Sequence, residues 1–337
     1  MTLLLTILAL LGLTGYLFIS GFHDAPNAVA VAVRTRALTP RFALSISAVL
    51  NGLGVLGGCL FFAQFAHQWL NLPESNIGLA MLLTALIAQI FWGIITWWFR
   101  MPASSTYALM GGLLGSMWAA RAVGISVQMP FRDSLVTLIF GPFIVFPILV
   151  FLASWLAVFP LSRLVSLTYP RTVHRISRNV MSLSNSIISL VHGVQIGQRA
   201  FMIFLMIAVA AQLNTSPWTL APVALISALI LGLGTYMGSW RIGHTFAYKM
   251  VRLDPFRGAV AQGNTSIIMV LTQLLLDTPI STSHLAASSV LGAGINQKFS
   301  SARPGIAVKL LLTWISTIPA SFCISAILFL ALSPLID

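Results

Sequence analysis

Acidic residues are nearly absent from this chain. Asp and Glu together number six in 337 residues, and charged side chains of both signs make up only 7%. A soluble domain carries about 25%, so this composition cannot clothe a water-facing globule. The shortage also excludes a dimetal centre, which needs several carboxylates. No HExxH, GxSxG, P-loop or CxxC pattern occurs; an enzyme reading has no catalytic motif to rest on, and no cofactor is implied. The two cysteines, Cys59 and Cys323, each lie in an apolar stretch and read as packing residues, not as a disulfide or a metal pair. Residues 1–20 lack a basic n-region and a small-residue cleavage site, so they read as a retained first helix.

What the chain does have is apolar length. Hydrophobic residues make up 58%, in segments near 2–20, 42–66, 77–99, 102–120, 135–160, 179–211, 218–238, 258–276, 279–296 and 306–332. A bilayer core takes about 20 helical residues, and the polar–apolar alternation of a barrel is missing. The expectation is an all-α, multi-pass protein of the cell membrane with about 10–12 segments, some of them broken helices or re-entrant hairpins. The net charge of +12 does not point to nucleic acid, because the basic residues sit mostly between apolar segments. Arg34, Arg36 and Arg41, then Arg163 to Arg178, then Arg241 to Arg257, and finally Lys298, Arg303 and Lys309 fall on one side of the bilayer. With those inside, the N- and C-termini lie outside. Arg121 and Arg132 are the exception. The nine tryptophans, Trp97 and Trp98 among them, suit interfacial belts.

Five segments precede a short basic linker and five follow it. An odd number per half sends the second half into the membrane upside down, the inverted-repeat condition. The expected division is 1–160, linker 161–178 and 179–337. Met101-Pro102-Ala103-Ser104-Ser105-Thr106-Tyr107 parallels Thr278-Pro279-Ile280-Ser281-Thr282-Ser283-His284, and both run on into small residues. A proline opening a helix leaves free N–H groups at the positive end of the dipole, and nearby hydroxyls add donors. One such run reads as an ordinary cap; two in matching places read as an anion site. Polar stretches at 21–28 and 192–199 are expected to break their helices at a repeat interface.

The charged and polar residues there are few. Arg199 is the only base between 179 and 240; its planar fork suits a tetrahedral oxyanion, or it balances Asp24, or it snorkels to an interface. Asp24 reads as a cation or proton carrier, or as an interfacial acid paired with Arg34 or Arg36. Asn27, Gln195 and Gln198 can ligate ions or satisfy broken backbone. His23 and His284 can relay protons. His67, His174 and His244 carry no assigned role.

On these residues the chain resembles the inorganic phosphate transporter family known as PiT. The first-half signature is similar to Gly21-Phe22-His23-Asp24-Ala25-Pro26-Asn27-Ala28-Val29-Ala30, continuing through Thr35-Arg36-Ala37-Leu38, and the Pro102 and Pro279 runs resemble the paired hairpin motifs. The resemblance implies an inverted-repeat secondary transporter with phosphate near the midplane. Phosphate would be held by Ser104, Ser105, Thr106, Ser281, Thr282 and Ser283. Asp24 and Asn27 would bind the coupling cation, H⁺ or, as a metal, Na⁺. Relatives with this first motif are mostly proton-coupled and of low affinity. A sulfate or other oxyanion permease and a non-transporting anion-binding relative remain alternatives, and a homodimer stays open. The second-half motif departs from the family's His-Gly-Ala-Asn-Asp-Gly-Gln-Lys: Gln195 and Ile196 replace the Asn-Asp pair, and Arg199 replaces Lys. The second carboxylate is gone, which weakens one cation site and favours the anion. Tyr107 also stands where a His is common, and the hydrophilic insert many relatives carry between the halves is missing.

Overall fold

The computed structural model describes residues 1–61, 72–127, 139–213, 216–276, 280–295 and 304–336. Pro279, Arg132, Lys298 and Arg303, and residues 67–71 of the 67–76 loop, lie outside them. Ten main helices are described: α1 (Thr2–Arg34), α2 (Pro40–Phe61), α3 (Asn76–Trp98), α4 (Ser105–Ala122), α5 (Gly141–Ser166), α6 (Pro170–Ala210), α7 (Pro217–Met237), α8 (Pro255–Leu275), α9 (Thr282–Gly294) and α10 (Pro304–Leu332). A short helical segment, residues 240–250, joins α7 to α8. Every apolar stretch of the sequence overlaps one of these ten helices. Seven of the described helices are long and apolar enough to cross a membrane. Their outer faces carry the apolar side chains that meet lipid, as on α5, where Ile144, Ile148, Leu152 and Leu156 are exposed while Val150, Ser154 and Val158 are buried.

The expected breaks at 21–28 and 192–199 are not there. Helix α1 runs unbroken through Pro26. A proline lacks the N–H that would reach the carbonyl four residues back. Here that carbonyl, Phe22 O, accepts instead from Ser239 N–H at 2.9 Å. The freed backbone group is satisfied inside the protein, and the helix continues. Helix α6 is likewise continuous over 41 residues. Its glycines serve packing: a Cβ at Gly193 would meet the Asn51 carbonyl of α2, and one at Gly197 would meet the Val55 backbone. Residues 161–178 are mostly helical too, leaving only 167–169 between α5 and α6.

The packing is reciprocal. Helix α1 lies on α7 and α6 lies on α2, each pair in backbone contact at glycine. Gly21 of α1 abuts Leu231 O of α7, and Gly234 of α7 abuts Phe18 O of α1; Gly193 of α6 abuts Asn51 O of α2, and Gly54 of α2 abuts Leu190 O of α6. Small residues let apolar helices approach closely enough for backbone contact inside lipid. The same exchange recurs at the short helices. Helix α4 packs on α10, with Gly115 against Phe322 O, and α9 packs on α5, with Gly292 against Phe151 O. Helix α9 has 13 residues, about 20 Å at the standard rise, too short for a core of about 30 Å.

Candidate anion site at two helix N-termini

Helices α4 and α9 begin in the same way. Ser104 caps α4, accepting from Tyr107 N–H at 3.2 Å; Ser281 caps α9, accepting from His284 N–H at 3.3 Å. The cap torsions nearly coincide, φ −98° and ψ 114° against φ −85° and ψ 113°. Pro102 sits two residues ahead of its cap and not at the first helical position. The capping oxygens therefore serve their own helices, and the hydroxyls that reach further are the next ones along.

Those hydroxyls meet at Asp24. Ser105 Oγ donates to Asp24 Oδ2 at 2.8 Å, and Ser283 Oγ donates to Oδ1 at 2.9 Å. The positive ends of two helix dipoles thus face one carboxylate. Asp24 is buried, at 6% exposure, and an unpaired charge there would cost several kcal/mol. Charge-assisted hydrogen bonds of about 1.5–3 kcal/mol each offset part of that. Asn27 Nδ2 lies 3.4 Å from Oδ1, as does His23 Nδ1, and His192 Nε2 lies 3.6 Å from Oδ2. Asp24 does not pair with Arg34 or Arg36; Arg34 stacks over the Tyr248 ring at 4.7 Å.

Two further contacts occupy corresponding positions. Asn27 Nδ2 of α1 donates to Ser283 Oγ at 2.9 Å, and Arg199 of α6 donates to Thr106 Oγ1 of α4. In each, the second residue of a short helix accepts from the matching position of α1 or α6. One donor is a neutral amide and the other a guanidinium, so the site is not symmetric in charge. Arg199 Nε also donates to Gln195 O at 3.0 Å, which fixes the fork along its own helix. Ile196, where a second carboxylate would stand, is fully buried in the apolar cluster that includes Leu17, Val55 and Leu109.

Not every candidate converges. Gln198 accepts from Gln273 Nε2 at 3.4 Å, away from Asp24. His284 stands in an aromatic cluster with Tyr107 and Phe143, both at 5.3 Å, and Trp314 at 4.2 Å, and neither ring nitrogen has a hydrogen-bond partner. Thr282 is buried at the start of α9. Gln195 Oε1 and Asn27 Oδ1 are buried and unpartnered, and it is the Asn27 Nδ2 that faces the Asp24 carboxylate. Among the described residues no cluster of three His, Cys, Asp or Glu could hold a metal.

Sequence reasoning passed over the residues behind the carboxylate. His192 Nδ1 pairs with Asn51 Oδ1 at 2.8 Å, and Asn51 Nδ2 donates to Thr235 Oγ1 at 3.2 Å. His23 Nε2 pairs with Thr96 Oγ1 at 3.1 Å. The available signal was a lone amide in an apolar helix, Asn51 in α2, which rarely lies there without a partner.

A solved protein carries the same arrangement of helices. A solved structure described as "The sodium-dependent phosphate transporter" superposes with a TM-score of 0.77 at 20% identity, covering 98% of this chain and 99% of that one. A Bacillus subtilis protein described as a probable low-affinity inorganic phosphate transporter is 31% identical over 98% of both chains. One from Rhizobium meliloti with the same description is 29% identical over 93% of this chain and 92% of its own. The family model described as "Phosphate transporter family" matches residues 20–325. That match takes in both short-helix motifs, Asp24 and Arg199, so this multi-pass membrane chain belongs to the phosphate transporter family and is no enzyme.

Proposed function

We propose that the chain is a secondary transporter that moves inorganic phosphate across the cell membrane, coupled to H⁺ or Na⁺, by alternating access. The observation that carries this reading is the meeting of two helix N-termini, one from each half, at a single buried carboxylate. Oxyanions are bound at such termini because unsatisfied N–H groups and hydroxyls converge there. The names of the relatives supply phosphate as the substrate, and the name of the solved neighbour supplies Na⁺ as one candidate for the coupling ion.

The reciprocal contacts support treating 1–160 and 179–337 as inverted repeats around the site, and the basic loops support placing the termini outside. Within it, Ser105, Thr106 and Ser283 are the hydroxyls placed to hold phosphate, with Arg199 beside Thr106. Asp24 and Asn27 receive the coupling ion, with His23 next to Asp24; Gln195 serves the Arg199 side of the site through its carbonyl. Ser104 and Ser281 contribute by capping, and Gln198 and His284 act outside the ion site.

The test is uptake of radiolabelled phosphate into proteoliposomes. Ser105→Ala combined with Ser283→Ala abolishes saturable uptake, while Ser104→Ala combined with Ser281→Ala lowers the yield of folded protein and leaves uptake per folded molecule saturable. Uptake indifferent to the first pair sinks the assignment.

A further inference from the structure

Each serine hydroxyl has a single proton to donate. Ser105 gives its proton to Asp24 Oδ2 and Ser283 gives its own to Oδ1. The Ser283 oxygen is engaged as well, by Asn27 Nδ2. Two of the donors that would hold an oxyanion are therefore already holding one, the chain's own carboxylate. A carboxylate edge offers two oxygens to two donors just as a phosphate edge does, and it sits where the two dipoles favour negative charge.

We propose that Asp24 is an internal competitor of the transported anion, and that the coupling cation acts by drawing Asp24 off the Ser105 and Ser283 hydroxyls. The proposal rests on the transporter reading and adds to it the step by which cation and anion are linked. With Asp24 unneutralised, an incoming phosphate finds both protons spent and a like charge beside it, inside a low-dielectric interior where repulsion is weakly screened. A cation held by the carboxylate cancels that charge and competes for its lone pairs. The serine protons are then free to turn to the anion. Asn27 Oδ1 is buried and without a partner, while the Nδ2 of the same amide faces Asp24 and Ser283; once Asp24 holds a cation, turning that amide over presents its oxygen as a second ligand. The other groups facing the carboxylate are His23 and His192, at 3.4 and 3.6 Å; the Arg199 guanidinium is engaged at Thr106 on the other short helix.

Static scaffolding is the rival account. In it, Asp24 merely orients the two serines and stays bonded to them throughout, so removing the carboxylate would disorder the site and lose the anion. The accounts predict opposite signs for one substitution.

The experiment is equilibrium dialysis of labelled orthophosphate against the full chain in detergent, for wild type, Asp24→Asn and Asp24→Ala. It is run at alkaline pH with choline as the only cation, then with Na⁺ replacing choline, then at acid pH in choline. Wild type binds phosphate at least tenfold more tightly in one of the last two conditions, about 1.4 kcal/mol, and which of the two identifies the coupling ion. In alkaline choline both variants bind at least tenfold more tightly than wild type, and neither responds to Na⁺; acid also protonates orthophosphate itself, so the acid response that counts is the part of wild type's that exceeds the variants'. In proteoliposomes they exchange phosphate but do not concentrate it. Monodisperse variants that lose phosphate in every condition, or that keep the wild-type cation response, overturn the competitor role and leave the transporter reading standing. Wild type that binds no phosphate in any condition overturns both.

A measurement on wild type alone guards against variants that fail to fold. Linkage requires phosphate to raise the affinity for the coupling ion by the same factor by which the ion raises the affinity for phosphate. Binding of the two that proves independent refutes the proposal outright.

Discussion

Gly54→Ala should destabilise the protein while Gly57→Ala, three residues along the same helix, should not. A Cβ at Gly54 meets three backbone atoms of α6: the Leu190 carbonyl, Gly193 Cα at 2.8 Å and Val194 N at 2.8 Å. Ordinary contact begins at 3.4 Å, and none of these is the flexible end of a side chain, so α2 and α6 must part. Overpacking of a tight interface costs about 1–3 kcal/mol. At Gly57 nothing lies within 4 Å, and exchanging glycine for alanine inside a helix contributes up to about 1 kcal/mol. That contribution is common to both variants and cancels, so they should lie about 1–3 kcal/mol apart in stability. The seam that opens also holds His192 Nδ1 at 2.8 Å from Asn51 and leads on to Asp24, so Gly54→Ala should weaken phosphate binding as well. Thermal unfolding in detergent followed by tryptophan fluorescence, with phosphate affinity on the same samples, reads both effects. Equal melting temperatures for the two variants would show that α2 and α6 do not pack as described.

Two further outcomes follow from the asymmetry of the site. Ile196→Asp restores the acid that the second half lacks, but it places an unpaired carboxylate among Leu17, Val55 and Leu109; a loss of several kcal/mol in stability is expected, and a stable variant that binds an extra cation per phosphate by isothermal titration would contradict it. Arg199→Lys removes the fork that reaches both Gln195 O and Thr106 Oγ1; phosphate KM should rise about tenfold, the equivalent of one such contact, with unchanged thermal stability, and an unaltered KM would argue that Arg199 serves only the helix packing.

The placement of Asp24 also explains why a lone acid is tolerated so deep in an apolar protein. Its charge is met by two hydroxyls, an amide and two imidazoles drawn from α1, α4, α6 and α9. Those partners are 81 and 259 residues away for the two serines. Removal of any one of them leaves part of the carboxylate unsatisfied, which is why single substitutions around it should be felt in stability as well as in binding.

Length, hydropathy and charge spacing determined by themselves that the chain lives in a membrane, that it has ten apolar segments in two sets of five, and that two Pro-x-Ser runs begin short helices. These are local quantities: about twenty apolar residues are costly to leave in water wherever they fold, and a serine ahead of a helix caps it from three residues away. Tertiary structure alone decided the rest. Pro26 does not break α1 because Ser239, far along the chain, reaches the carbonyl that the proline leaves open. Gly193 and Gly197 are contact points and not hinges, because α2 happens to lie against them. Whether Ser104 or Ser105, Ser281 or Ser283, faces the site depends on how two helices from opposite halves are rotated against Asp24. A hydrogen bond is fixed by distance and angle in space, and no spacing along the chain encodes that.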